Sequence, residues 1–257
     1  MPCAEATIFL MRYQPVPDDA LLWRYMELAK YKAFIGTNSL YCPRAARFED
    51  PWESRLPRAE EEAYMNDMLA HLAEMGMIDD PNPTAIDGVR SNFKKWDLSF
   101  DRNRFVSCWH INEAESAAMW DLYCKRDAGV AVVSTGPALK YLAHLNREQG
   151  AIFAAVEYLD YEKDSIRESR DALFCKRRSF AHEQEARLVC FPKWEMVSSS
   201  EIKFKDFLML PLDLDVFINR ILISPTADES FKDEVLWVSD LFKLKAPITQ
   251  SDLYSPY

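Results

Sequence analysis

Glu183 and Glu185 stand two residues apart, just ahead of the apolar run ARLVCF at 186–191. Side chains alternate along a strand, so both carboxylates face one side if the strand begins this early. Two carboxylates on one face can divide a group transfer between them. One stabilises positive charge that develops in the transition state, and the other orients or deprotonates a nucleophile. The plainer alternative is that the pair flanks a helix end, with Arg187 joined to one of them on the surface. Arg12 and Tyr13 close a second apolar run, IFLMRY at 8–13. An arginine there offers a planar fork that matches phosphate oxygens. Tyr41 and Trp52 are aromatic groups able to stack on a planar ring.

Three other groupings carry weaker chemistry. Lys176, Arg177 and Arg178, with Arg167 and Arg170 upstream, form a basic cluster. It reads either as a solvated helix face or as an edge that meets phosphate or nucleic acid. In the loop Phe48-Glu49-Asp50-Pro51-Trp52-Glu53, Asp50 before Pro51 starts a turn and Trp52 anchors it in the core. The functional reading of that loop puts Asp50 and Glu53 at the rim of a cleft. Cys108 and His110 share one strand face but lack an orienting third group for nucleophilic work. No metal site is expected, because no His or Cys pair has partners at a usual offset.

Positioning these groups takes strands and helices in irregular alternation. Short apolar runs predict strands over 8–13, 39–41, 104–109, 129–134, 151–158, 186–191, 202–210 and 217–223. Helices are expected from Asp18 or Asp19 to Phe34, with Leu21, Tyr25 and Leu28 on one face, and over 114–124, 137–145, 164–180 and 227–244. Residues 57–97 read as a helical insertion: Pro57 suits a first turn, Glu60, Glu61 and Glu62 favour the positive helix end, and DDPNPT at 79–84 breaks it. Met119, Trp120, Leu122 and Tyr123 are read as core. The whole predicts an α+β fold, one domain over 1–257, with a central mixed or antiparallel sheet and flanking helices.

Composition narrows the function classes. The net charge of −10, from 41 acidic and 31 basic residues, weighs against a nonspecific nucleic-acid binder. Six glycines in 257 residues weigh against a fold built on glycine-rich phosphate loops. No apolar run is long enough for a transmembrane helix, and the N-terminal stretch lacks the pattern of a signal peptide. Six cysteines without a Cys-x-x-Cys pair, several among apolar neighbours, read as buried thiols of a cytoplasmic protein.

Taken in order, several segments resemble a large bacterial family of unknown function. They are Leu10-Met11-Arg12-Tyr13, then Phe48 to Glu53, Val106-Ser107-Cys108-Trp109, Met119-Trp120-Asp121-Leu122-Tyr123, Gly129-Val130, Lys176, and Glu183 to Val189. The sequence departs from that pattern at Glu49, where Asn is usual, and at His182, where an aromatic is usual. The layout also resembles the ADP-ribosyltransferases, including toxins that modify DNA. That resemblance implies NAD as co-substrate, a nucleic-acid or protein acceptor, and a role in stress or phage defence. It implies that Glu185 stabilises the ribosyl cation and that Glu183 orients or deprotonates the acceptor. Arg12 would hold the diphosphate, with Tyr13, Tyr41, Asp50 and Trp52 at the cofactor. Lys176, Arg177 and Arg178 would draw in an anionic substrate. The competing reading is a noncatalytic binding or partner module of the same fold.

Overall fold

In the computed structural model, residues 13–48, 50, 58–76, 87–88, 91, 104–125, 127–164, 172–191 and 206–255 are described. The bulky run LLWRYM at Leu21–Met26 forms a strand, β1, and not the start of a helix as the spacing of Leu21, Tyr25 and Leu28 predicts. The reason is burial on both sides. Leu22 and Met26 enter one hydrophobic cluster and Trp23 and Tyr25 another, whereas an amphipathic helix buries a single stripe. Asp18 and Asp19 make a turn instead of capping a helix. Helix α1 (Leu28–Thr37) follows and stops at Asn38, which takes the left-handed conformation at φ 46°. Next come β2 (Ser39–Pro43), α2 (Arg58–Glu74) and β3 (Phe105–Ile111).

Ser116 caps α3 (Ala117–Cys124) by accepting from the Met119 N–H, and Thr135 caps α4 (Gly136–Leu145) by accepting from the Ala138 N–H. Between them lies β4 (Val130–Thr135), buried along nearly its whole length. The later strands are β5 (Ile152–Ala155), β6 (Glu157–Leu159), β7 (Cys175–Arg177), β8 (Glu185–Cys190) and β9 (Phe207–Pro211). One helical turn, α5 (Leu214–Phe217), precedes β10 (Arg220–Ile223), and α6 (Glu229–Leu241) and β11 (Ile248–Gln250) follow.

The fold is α+β. Seven strands form a mixed sheet in the order β11-β10-β4-β1-β3-β8-β5, antiparallel except for the parallel β10–β11 pair. Contacts divide the chain into two compact units, each gathered from separate segments. One unit takes 15–43, 105–155 and 182–257; it holds the seven-stranded sheet and the antiparallel β2–β9 pair. Its main core lies on one face of the sheet around Leu22, Trp109, Val132, Leu188 and Ile221. The other unit takes 1–14, 44–104 and 156–181; it holds α2 and the parallel β6–β7 pair.

Several boundaries differ from expectation. The run 151–158 is two strands, β5 and β6, in different sheets. Within 164–180, Cys175–Arg177 is a strand between two 3-10 turns, and residues 165–171 lie outside the described set. In 217–223 the strand begins only at Arg220. The edge strand β11 is not anticipated, because its three residues carry no apolar pattern. Of 8–13 only Tyr13 is described, in a bend. Helix α2 matches the first half of the expected insertion and adds no strand to the large sheet; most of the second half is outside the described residues. No helix among the described residues is long and apolar enough to cross a membrane.

Gly136, at the start of α4, packs closely against the backbone. A Cβ there would stand 2.5 Å from the Pro17 carbonyl oxygen. Gly136→Ala is therefore expected to cost roughly 1–3 kcal/mol of stability. Chemical denaturation reads this directly, and an unchanged midpoint would show that the Pro17 segment yields freely.

Candidate active site

β1 and β3 are neighbours in the sheet, yet their ladder is short. It consists of Leu22 opposite Ile111 and Trp23 opposite His110. Bonds from the Asn112 N–H to the Leu21 carbonyl (3.2 Å) and from Trp23 Nε1 to the Asn112 carbonyl (2.8 Å) pin that end. Past Trp23 and His110 the ladder stops, although β1 runs on to Met26 and β3 reaches back to Phe105. A side-chain bond takes over there: Arg24 Nη1 donates to Ser107 Oγ at 2.7 Å. Arg24 Nη2 donates to the Tyr41 carbonyl on β2 at 3.2 Å, and its guanidinium lies 5.7 Å from the Trp109 ring centroid. No carboxylate among the described residues pairs with Arg24. Desolvation lowers its pKa, opposed by Cys42, Cys108, Tyr123 and Tyr41. A guanidinium remains cationic at neutral pH even so.

The acidic part of the site comes from the turn into β8. Glu183 closes a 3-10 turn, Gln184 takes φ 41°, and Glu185 opens the strand. The left-handed residue breaks the extended chain, so the expected alternation that would align Glu183 with Glu185 does not apply. Tertiary bonds hold the turn instead: the Ile111 N–H donates to the Gln184 carbonyl at 2.8 Å, and His110 Nδ1 lies 2.6 Å from the Glu183 carbonyl. Both glutamates are buried. Arg187 donates to Glu185 Oε2 from Nε at 3.1 Å and from Nη2 at 2.5 Å, and Arg187 is wholly buried. A surface pairing of Arg187 is therefore corrected to an interior one.

Register explains which groups meet. Trp23 is opposite His110, His110 opposite Glu185, and Cys108 opposite Arg187, so these side chains share the sheet face that α3 covers. Arg24 alternates onto the other face, beside Ser107 and Trp109. Tyr123 on α3 is within electrostatic reach of both groups. Desolvation drives its hydroxyl pKa well above the ordinary range, with Cys108, Glu185 and Glu183 adding to the rise and Arg187 opposing it. Tyr123 and Leu122 are 41% and 50% exposed and so are not core, while Met119 and Trp120 are buried as expected.

The remaining sequence candidates fall into two groups. Tyr41 lies on β2, 38% exposed, with its ring 5.0 Å from that of Phe207. Its backbone already touches Arg24, so it belongs with the glutamates in one unit. Tyr13, Asp50, Lys176, Arg177 and Arg178 belong to the other unit. There the Tyr13 ring is 4.7 Å from that of Phe174, Arg177 donates to Asp50 at 3.2 Å, and Lys176 is buried with its ammonium 4.8 Å from the Phe180 ring centroid. Arg178 is exposed and 3.5 Å from Asp164. The basic cluster is thus the strand β7 and the turn after it, not one face of a helix. Arg12 and Trp52 lie outside the described residues.

Arg24 escapes the sequence reading although its signal is present. Arg24-Tyr25 repeats the dipeptide of Arg12-Tyr13, but the helical spacing around it hides the strand. Among the described residues no three His, Cys, Asp or Glu side chains gather to hold a metal. None of the five described cysteines is in a disulfide; burial pushes the Cys124 thiol up to about 11 and that of Cys190 up to about 12, so neither is a nucleophile at neutral pH.

No protein-family model matches the chain, and no curated protein is significantly similar to it. A solved structure, DarT of Thermus sp. 2.9 in complex with NAD+, is similar at a TM-score of 0.37 and 10% identity, over 92% of this chain and 97% of that chain. The likeness is distant.

Proposed function

We propose that this chain is an ADP-ribosyltransferase-like enzyme that takes NAD as co-substrate. The observation that carries the reading is the electrostatic coupling of Tyr123 both to the desolvated Arg24 guanidinium and to the buried Glu183 and Glu185. A desolvated guanidinium with no counter-ion among the described residues suits an anionic ligand, and its planar fork suits phosphate. Arg24 takes the diphosphate role that the sequence reading gives to Arg12. The exposed Tyr41–Phe207 pair offers aromatic faces on which the nicotinamide or adenine ring could stack. Glu185 faces the ribose, where positive charge appears as the nicotinamide bond breaks, and Glu183 orients the acceptor. The acceptor is a nucleic acid or a protein, the setting is the cytoplasm, and a stress or phage-defence role goes with this reading.

A second reading, a noncatalytic binding module, draws on a specific observation. Glu185 is already bonded twice by Arg187, which a purely structural ion pair also explains. Calorimetry with NAD, followed by incubation with labelled NAD and a mixture of DNA and lysate, separates the two. NAD binding and label transfer support the enzyme. Absence of both at millimolar NAD leaves the binding module. If Arg24 holds the diphosphate, Arg24→Gln is expected to weaken NAD binding about 10- to 100-fold, the worth of one charge-assisted hydrogen-bonding group. Unchanged affinity by calorimetry would remove Arg24 from the site.

A further inference from the structure

His110 is 6% exposed, and its Nε2 is buried with no hydrogen-bond partner among the described residues. The other ring nitrogen settles the tautomer. Nδ1 lies 2.6 Å from the Glu183 carbonyl, an acceptor, so Nδ1 carries the proton and donates it. Nε2 is then a bare lone pair. A buried acceptor left without a donor costs stability, and such atoms in a folded protein call for an explanation. Position supplies one. Trp23–His110 is the last pair in register on the β1–β3 ladder, and His110 is also opposite Glu185. The imidazole therefore stands at the edge of the gap, beside the carboxylate that faces the ribose.

We propose that His110 Nε2 is the base that takes the proton from the incoming nucleophile, which extends the ADP-ribosyltransferase reading and rests on it. The nucleophile, an O–H or N–H group, gives its proton to Nε2. Its lone pair forms the bond to C1′ of the ribose. The C1′–N bond breaks, and its electron pair neutralises the pyridinium as nicotinamide leaves. The imidazolium returns its proton to water. Glu183 fixes the ring through its carbonyl, and Glu185 stabilises the charge at C1′.

The charged state of the ring fits this use. Desolvation lowers the His110 pKa from the ordinary 6.5; the Glu183 carbonyl bond and Glu185 push it upward, and His182 pushes it down. The titratable groups around it are Tyr25 from β1, Cys108 from β3, Glu183, Glu185 and Arg187 from β8 and its approach, and Tyr123 from α3. A base works in its neutral form. Activity is present above the His110 pKa and falls as pH drops through it, and that fall lies below pH 6.5.

The test uses nicotinamide release from NAD with water as the acceptor. His110→Asn keeps a donor for the Glu183 carbonyl and removes the Nε2 lone pair. It is expected to lower water-dependent release about 100-fold or more, to leave NAD affinity by calorimetry unchanged, and to abolish the acid limb of the rate profile. Azide attacks without deprotonation, so added azide restores release by His110→Asn and not by Glu185→Gln. A His110→Asn protein that hydrolyses NAD like wild type, or that azide does not rescue, overturns the proposal while wild-type turnover leaves the enzyme reading standing. A wild-type protein that neither binds nor cleaves NAD overturns both.

Discussion

Glu185→Gln is expected to slow nicotinamide release roughly 100- to 1000-fold, the usual loss when one preorganised charge-stabilising group is removed. On the proposed reading the carboxylate acts on a cation that exists only at the transition state, so NAD affinity is expected to change far less than rate. Glutamine has the same shape and keeps an oxygen for Arg187 to bond, which limits the structural damage. Melting is followed in parallel, because the change also removes the Glu185 charge from beside the buried Arg187. The rate is read well below the melting transition. Glu183→Gln serves as the comparison, since a group that orients the acceptor affects transfer more than cleavage with azide. Equal rates for wild type and Glu185→Gln would show that Glu185 is only the partner of Arg187.

Arg187→Met is the second large effect, and it bears on stability. The Arg187 side chain is wholly buried in β8 and bonds Glu185 twice. Removing it takes away the cation that bonds Glu185 twice, and breaking a buried pair typically costs about 3–5 kcal/mol. The double variant Glu185→Gln, Arg187→Met removes both charges of the pair and should recover part of that loss. The coupling between the two changes, measured by denaturation, separates the ion pair from the packing of the arginine stem. A single variant as stable as wild type would mean that Glu185 reaches water or another cation.

Local pattern was enough for much of the fold. The runs at β3 and β4 are rich in β-branched or aromatic residues over a strand's length, and β8 carries the short apolar stretch Leu188–Cys190, so all three read as strands. The helices α3, α4 and α6 carry a capping Ser, Thr or Asp ahead of an apolar stripe, and those signals act within a few residues. A need for partners around 183–187 was also legible, because acidic side chains beside an apolar strand are costly unless paired, and Glu185 is paired with Arg187.

The rest depended on neighbours distant in the chain. Leu21–Met26 fits a helix and a strand alike, and only the covering of both its faces decides for the strand. That choice carries Arg24 to the gap. The expected surface pair of Arg187 became an interior one because β3 and β5 flank β8 on either side. The turn at Gln184, which undoes the simple alternation of the two glutamates, is held by bonds to Ile111 and His110, more than 70 positions earlier. Residue types and spacing determined which side chains could do chemistry. Which of them lie near one another was decided by register and by where the β1–β3 ladder stops, and those follow from tertiary packing.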